Sequence, residues 1–224
     1  MTQPEASDYD RLFYPYLFEG GKSSLEDVLA QVRSSTLDKS RDLVALRQRV
    51  LDSMQDQILA AGQAMARSFA AGGTLLAFGN GGSSTDALDI VLKLGEPPWP
   101  GAKPLPALAL AHNIAMLTAV GNDVGFDNVF ARQVIAFGRA GDIAFGISSS
   151  GNSANILRAF DQAHAQGLLT IGMAGYDGGK MARMDAVDFS LVVPGDQVPR
   201  IQETQATIYN ALLAVVFSSL NGEA

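Results

Sequence analysis

Cysteine is absent from the 224 residues, which excludes disulfides, thiolate metal sites and a cysteine nucleophile. Histidine is almost absent: His112 and His164 are the only two. A mechanism that gathers two or three histidines of one chain at one site has almost no room here. Basic residues are in the minority, with 16 Lys and Arg against 23 Asp and Glu and a net charge of −7. That balance argues against a nucleic-acid surface, whose footprint is a basic stripe. It does not forbid an acidic ligand, because a local nest of backbone N–H groups binds anions on an acidic protein. No apolar run approaches the roughly 20 residues that a bilayer crossing needs. The start, Met1-Thr-Gln-Pro-Glu-Ala-Ser-Asp-Tyr-Asp10, lacks the basic and apolar segments of a secretion signal. A cytoplasmic protein with no membrane partner is expected.

What the chain does have is a core. Apolar residues make up 47% and charged residues 17%, a balance suited to one globular domain over 1–224. Within it, 1–72 reads as a helical extension and 73–220 as an α/β core. Residues 1–22 carry Tyr9, Phe13, Tyr14, Tyr16, Leu17 and Phe18, an aromatic arm suited to packing on the domain, on a neighbouring subunit or on a protein partner. Ser23-Ser-Leu-Glu26 has the form of a capping box opening a helix to about Arg33. After Ser34-Ser-Thr36, apolar residues recur at Leu43, Leu46, Val50, Met54, Ile58, Met65 and Phe69, and Gly72-Gly73 ends the run. Spacings of three and four mark one face of a long helix. Leu51, Leu59 and Ala66 widen that face and predict burial on more than one side.

From residue 74 short apolar runs alternate with helical segments. The runs are Thr74–Phe78, Leu105–Ala111, Asp142–Ile147, Leu168–Ala174 and Val187–Val193. Helical stretches lie near Ser83–Leu94, Ile114–Ala119, Asn128–Gly138 and Asn155–Gln166. Strands that are apolar on both faces, separated by helices, predict an α/β fold with a doubly wound five-stranded parallel sheet. The long N-terminal helix and a last helix, roughly Val198–Leu220, complete it. The proline-rich stretch 95–104 reads as a rim loop.

Two loops share one grammar. Gly79-Asn-Gly-Gly-Ser83 follows the first strand, and Ser148-Ser-Ser-Gly-Asn-Ser153 follows the third. Ligands in open α/β sheets sit beyond the carboxyl ends of the strands. A helix N-terminus there offers free N–H groups and partial positive charge to a phosphate. Ser83 and Ser153 could instead simply cap their helices, but two such loops at matching sheet ends point to phosphate. Dinucleotide binding is less apt: the first loop lacks the G-x-G-x-x-G spacing and no acidic residue closes the second strand.

Five motifs carry a family resemblance: Gly79-Asn-Gly-Gly-Ser83, Val120-Gly-Asn-Asp123, Gly146-Ile-Ser-Ser-Ser-Gly-Asn-Ser-Ala-Asn155, Tyr176-Asp-Gly-Gly-Lys180 and Arg200-Ile-Gln-Glu203. In order and spacing they resemble the phosphoheptose isomerase branch of the sugar isomerase (SIS) domain family, over about residues 40–220. The resemblance implies a flavodoxin-like sheet, a homotetramer with sites between subunits, and a phosphosugar ligand such as sedoheptulose 7-phosphate. It places ligand contacts on Asn80, Gly81, Gly82, Ser83, Asn122, Asp123, Ser148, Ser149, Ser150, Ser153 and Gln202.

The same resemblance implies a ketose–aldose isomerase that uses a glutamate and a histidine, with zinc held by two histidines, a glutamate and a glutamine. Here the first-helix histidine becomes Asp89, the glutamate four residues later Lys93, the C-terminal-helix histidine Asn210 and the histidine five residues before it Gln205. An arginine position carries Pro97, and only Gln202 survives of the zinc set. Asparagine does not exchange a proton near neutral pH, whereas imidazole does. Lysine repels a metal, and Asp89 with Lys93, four apart on a helix, reads as an ion pair. No metal or other cofactor is expected. Glu203 and His112 are the candidate replacement catalytic groups, with Asp86 a further carboxylate; each competes with a purely structural role. His164 reads as a surface residue near a helix C-terminus. The expected function is a phosphosugar-binding sensor, scaffold or adaptor; the alternative is an isomerase with rearranged residues. The family includes a bacterial replication-initiation adaptor that similarly lacks the C-terminal histidine.

Overall fold

The computed structural model describes residues 25–99 and 101–222. The chain forms two compact units, Met1–Arg41 and Asp42–Ala224. The aromatic arm and the capping serine of the expected box lie outside the described residues.

Helix α1 spans Leu25–Ala70 without interruption. The break expected at Ser34-Ser-Thr36 does not occur. Thr36 Oγ1 donates to Val32 O at 2.8 Å and Ser40 Oγ to Thr36 O at 2.9 Å. Hydroxyls that bond back to the preceding turn are tolerated inside an exposed helix, so a serine–threonine cluster need not stop one. In the first unit, the described side chains from Glu26 to Arg41 are all exposed.

In the second unit, Leu46, Val50, Met54, Met65 and Phe69 of α1 are buried. Leu51 and Leu59 are not: they remain 52% and 47% exposed. Ala66 is buried at 5% exposure, so within one protomer the predicted burial on a second side is met at Ala66 and not at Leu51 or Leu59. After α1 come β1 (Leu75–Gly79), α2 (Gly82–Gly95), β2 (Ala107–Ala109), a 3₁₀ turn to His112, α3 (Ile114–Asp123) and α4 (Ala131–Phe137). Then follow β3 (Ile143–Ser148), α5 (Ala154–Ala165), β4 (Leu169–Gly175), β5 (Phe189–Val193) and α6 (Val198–Asn221). The five strands are parallel in the order β2-β1-β3-β4-β5.

Period-two alternation splits the core in two. Leu75 and Ala77 of β1, with Ile143, Phe145 and Ile147 of β3, face α1, α2 and α6. Leu76 and Phe78 face the other way, onto Phe130, Val134, Ile156 and Phe160. The Phe78 ring packs 5.6 Å from Phe130 and 5.4 Å from Phe160. Burying both faces explains why these strands lack polar alternation. The rim loop is fastened by Trp99, stacked 4.9 Å from Phe217.

Two carboxylates brace the strand starts, away from the glycine–serine loops, Asp142 buried and Asp188 exposed. Asp142 accepts from Thr74 N at 2.7 Å and Arg139 N at 2.9 Å. Asp188 accepts from Thr170 N at 2.8 Å. In this order the chain reverses direction across the sheet between β1 and β3, and a crevice opens beyond their carboxyl ends. Both glycine–serine loops leave from that point. No helix among the described residues is long and apolar enough to cross a membrane.

Candidate functional site

The β1 loop turns tightly into α2. Ser83 N donates to Asn80 O and Ser84 N to Gly81 O, each at 3.0 Å. Gly81 is the N-cap and no side chain caps the helix, so its terminus faces the crevice without a capping hydroxyl. Gln202 of α6 lies against this end. A Cβ on Gly82 would stand 2.5 Å from Gln202 Nε2, so glycine is what admits the glutamine.

The β3 loop is braced from behind by Tyr176-Asp-Gly-Gly-Lys180. Gly175 N donates to Ser149 O and Met181 N to Gly151 O, both at 2.9 Å. Gly151 has φ +63, and a Cβ there would sit 2.0 Å from Gly178 O. That contact is why two glycine-bearing loops meet. Tyr176 holds φ 53, an uncommon conformation for a side chain of its size. Ser148 Oγ lies 3.1 Å from Ser153 Oγ. Ser153 is the N-cap of α5 yet makes no capping bond, so its hydroxyl is turned to the loop. The simple capping role fails for both serines.

The two loops are tied together. Asn80 and Asn155 exchange side-chain amide bonds, each 2.9 Å. Thus Asn80, Gly82, Ser148, Ser153 and Gln202 converge through these contacts. Ser150 Oγ instead accepts from Asn152 N at 3.2 Å. Asn122 and Asp123 close α3, exposed and bonded to each other at 2.7 Å. Among the described residues no hydrogen bond joins them to either loop. A cavity of about 230 Å³ adjoins the β1 loop, lined by Asn80, Gly81, Ser84, Leu117, Phe126 and Phe130; the β3-loop serines do not line it.

Residues 40–175 match the SIS domain family. The chain belongs to the SIS domain family. It is 45% identical over 150 residues to a phosphoheptose isomerase of Sulfurimonas denitrificans, covering 67% of this chain and 75% of that one. It is 37% identical over 196 residues to the phosphoheptose isomerase of Clostridium acetobutylicum, covering 87% and 95%. The solved phosphoheptose isomerase of Neisseria gonorrhoeae superposes with a TM-score of 0.78 at 35% identity, covering 84% of this chain and 99% of that one. The sheet and its helices are therefore those of a SIS fold.

Within this SIS protein, the positions where the resemblance implied acid–base and zinc-binding residues form a different network. Lys93 Nζ lies 2.6 Å from Asp89 Oδ2, so the expected ion pair forms. It also donates to Asn210 Oδ1 on α6 at 2.9 Å. Tyr209 donates to the same Asp89 oxygen at 2.7 Å, and Lys93 Nζ sits 5.3 Å from its ring centre. Burial pushes the Asp89 carboxyl up, but the bonds from Lys93 and Tyr209 and the lysine charge outweigh it, and its pKa falls below the ordinary value. Burial, then the bond to Asp89, raises the Tyr209 hydroxyl well above its ordinary value.

A divalent cation does not fit this donor set. The ammonium already holds the carboxylate, and Asn210 offers it an amide oxygen in place of an imidazole. Among the described residues no three His, Cys, Asp or Glu side chains are grouped to hold a metal.

α2 and α6 run parallel here, since Gly82 meets Gln202 and Asp89 meets Tyr209. The turn between those contacts carries Asp86 and Gln205. Asp86 Oδ2 is buried without a partner, and so are both amide atoms of the fully buried Gln205. Burial, then the Asp89 charge, raises the Asp86 carboxyl from 3.8 to about 6.

The other candidates lie apart. The Glu203 carboxylate is held by Arg200. His112 ends the 3₁₀ turn after β2, and His164 lies in the last turn of α5; both are exposed. The sequence reading missed Tyr209 and the reach of Lys93 to Asn210.

Proposed function

We propose that this SIS protein binds a phosphosugar in the crevice between the β1 and β3 loops and serves as a sensor, scaffold or adaptor without the zinc-dependent isomerase chemistry. The phosphate lies on the α2 N-terminus and on the hydroxyls of Ser83, Ser148, Ser149, Ser150 and Ser153. Asn80, Gly81, Gly82 and Gln202 contact the sugar, with Asn122 and Asp123 reaching it from another protomer of a homotetramer. The exposed Leu51 and Leu59 of α1 support that assembly. The domain reading follows: one SIS domain, 73–220 as core and 1–72 as extension, working in the cytoplasm.

One observation carries the loss of chemistry. Lys93 bonds Asp89 and Asn210 at once, which locks the acid–base positions into an ion-paired network with no titrating imidazole. The isomerase reading keeps support from the relatives' names and from Asp86, a partly buried carboxyl with one unpartnered oxygen beside that network. Thermal shift against sedoheptulose 7-phosphate and a panel of other phosphosugars tests binding; no shift with any of them overturns the reading. A coupled ketose–aldose assay, with and without divalent metal, separates the two functions. Turnover that Asp86→Asn abolishes and Lys93→Met leaves intact establishes the isomerase instead.

A further inference from the structure

We propose that Lys93 is a resident cation. Its ammonium takes over, from within the chain, the bridging that the family resemblance gives to zinc, and it offers one N–H to an oxygen of the bound ligand. The second half rests on the phosphosugar reading above. Three side chains on two helices converge on this charge. Asp89 Oδ2 lies at 2.6 Å, Asn210 Oδ1 at 2.9 Å, and the Tyr209 ring centre at 5.3 Å. Tyr209 then donates to the Asp89 oxygen that the ammonium holds, so removing the charge loosens three contacts together.

A metal and an ammonium cannot share that oxygen, because two positive charges within a few ångström repel. The tie between α2 and α6 therefore stands without metal. An ammonium has three donors, and the bonds to Asp89 and Asn210 take two of them. The Lys93 side chain keeps 29% of its surface exposed. The third N–H is free for a hydroxyl or carbonyl oxygen, and a phosphate seated on the α2 N-terminus puts a sugar chain in line with that helix.

Metal analysis of the purified protein, with melting followed in EDTA and in added zinc, tests the first half. The expected result is no stoichiometric metal and a Tm that neither addition moves. One zinc per chain whose removal lowers the Tm overturns it. Lys93→Met keeps the length and removes the charge, and is expected to lower the Tm while Lys93→Arg retains most of it. An unchanged Tm in Lys93→Met also counts against the tie. Where Lys93→Met does not fold, Asn210→Ala, which removes only the α6 partner, carries the same comparison.

Calorimetric titration tests the second half with inorganic phosphate and with sedoheptulose 7-phosphate. Losing one charged hydrogen bond predicts about tenfold weaker binding of the sugar phosphate in Lys93→Met, with phosphate binding unchanged. Equal effects on both ligands, or none, overturn the contact. Wild-type protein that binds neither ligand overturns the phosphosugar reading, and the metal and melting results still decide the tie.

Discussion

Asp86 gives the most demanding test of the network between α2 and α6. Its carboxyl is partly buried, one oxygen lacks a partner, and Asp89 stands one turn away. In the folded chain it holds its proton up to about pH 6, against 3.8 ordinarily. The folded state therefore binds more protons than the unfolded one between those values, so stability falls as pH rises through the window and levels off above it. A rise from 3.8 to about 6 converts to about 3 kcal/mol. Solvent screening at a partly exposed group cuts this to about 1–2 kcal/mol. Asp86→Asn removes the charge term and keeps a polar group in the same place. The constant cost of an unpartnered atom therefore cancels when wild type and variant are compared across pH. The variant's gain in stability should be absent near pH 4, grow up to about pH 6, and stay about 1–2 kcal/mol at higher pH. Urea unfolding of both proteins across this range reads the difference directly. A gain that is independent of pH, or that grows toward acid, would refute the reasoning.

Other substitutions probe other parts. Gly151→Ala forces a Cβ to 2.0 Å from Gly178 O at φ +63, and should cost about 2–4 kcal/mol in urea unfolding; a cost below about 1 kcal/mol would mean the brace between the loops is soft. Gly82→Ala meets only the end of the Gln202 side chain at 2.5 Å. It should leave stability within about 1 kcal/mol and weaken phosphosugar binding by calorimetry. Gln205→Leu removes two buried amide atoms that have no partner and should stabilise by about 1–2 kcal/mol in the same unfolding assay; destabilisation would show that those atoms are satisfied in solution.

The sheet was legible because its strands are apolar on both faces, and Leu75, Leu76, Ala77 and Phe78 alone reveal burial on two sides. The loops were legible because glycine and serine clusters after strands have few other uses. The Asp89–Lys93 pair could be read from its spacing, but the reach of Lys93 to Asn210 spans 117 positions and depends on how α2 and α6 register. Tyr209 had a visible signal. It stands four before Leu213 in the buried stripe of α6, and a buried tyrosine needs a partner for its hydroxyl. The continuity of α1 was hidden because serine and threonine can either stop a helix or bond back along it, and the residues alone do not choose.

The two halves of the crevice rest on different physics. The β3 loop and the β1 turn are held by backbone bonds, paired amides and paired hydroxyls, and among the described residues they are free of buried side-chain atoms without a partner. The α2–α6 half is not. Of the seven buried side-chain atoms without a partner among the described residues, five belong to Asp86, Arg200, Thr204 and Gln205. Each such atom costs about 1–3 kcal/mol, and a chain retains such costs where something other than stability sets the residue. The unpartnered atoms of Asp86 and Gln205 lie in the turn beside the positions where the family resemblance places the chemistry, and they remain although Lys93, Asp89, Tyr209 and Asn210 have formed a closed network there. With lysine, aspartate and asparagine standing where the resemblance implies histidines and a glutamate, this region is charged and polar rather than ordinary core. A core that had simply been released from function would have filled with apolar residues, as the facing sheet did.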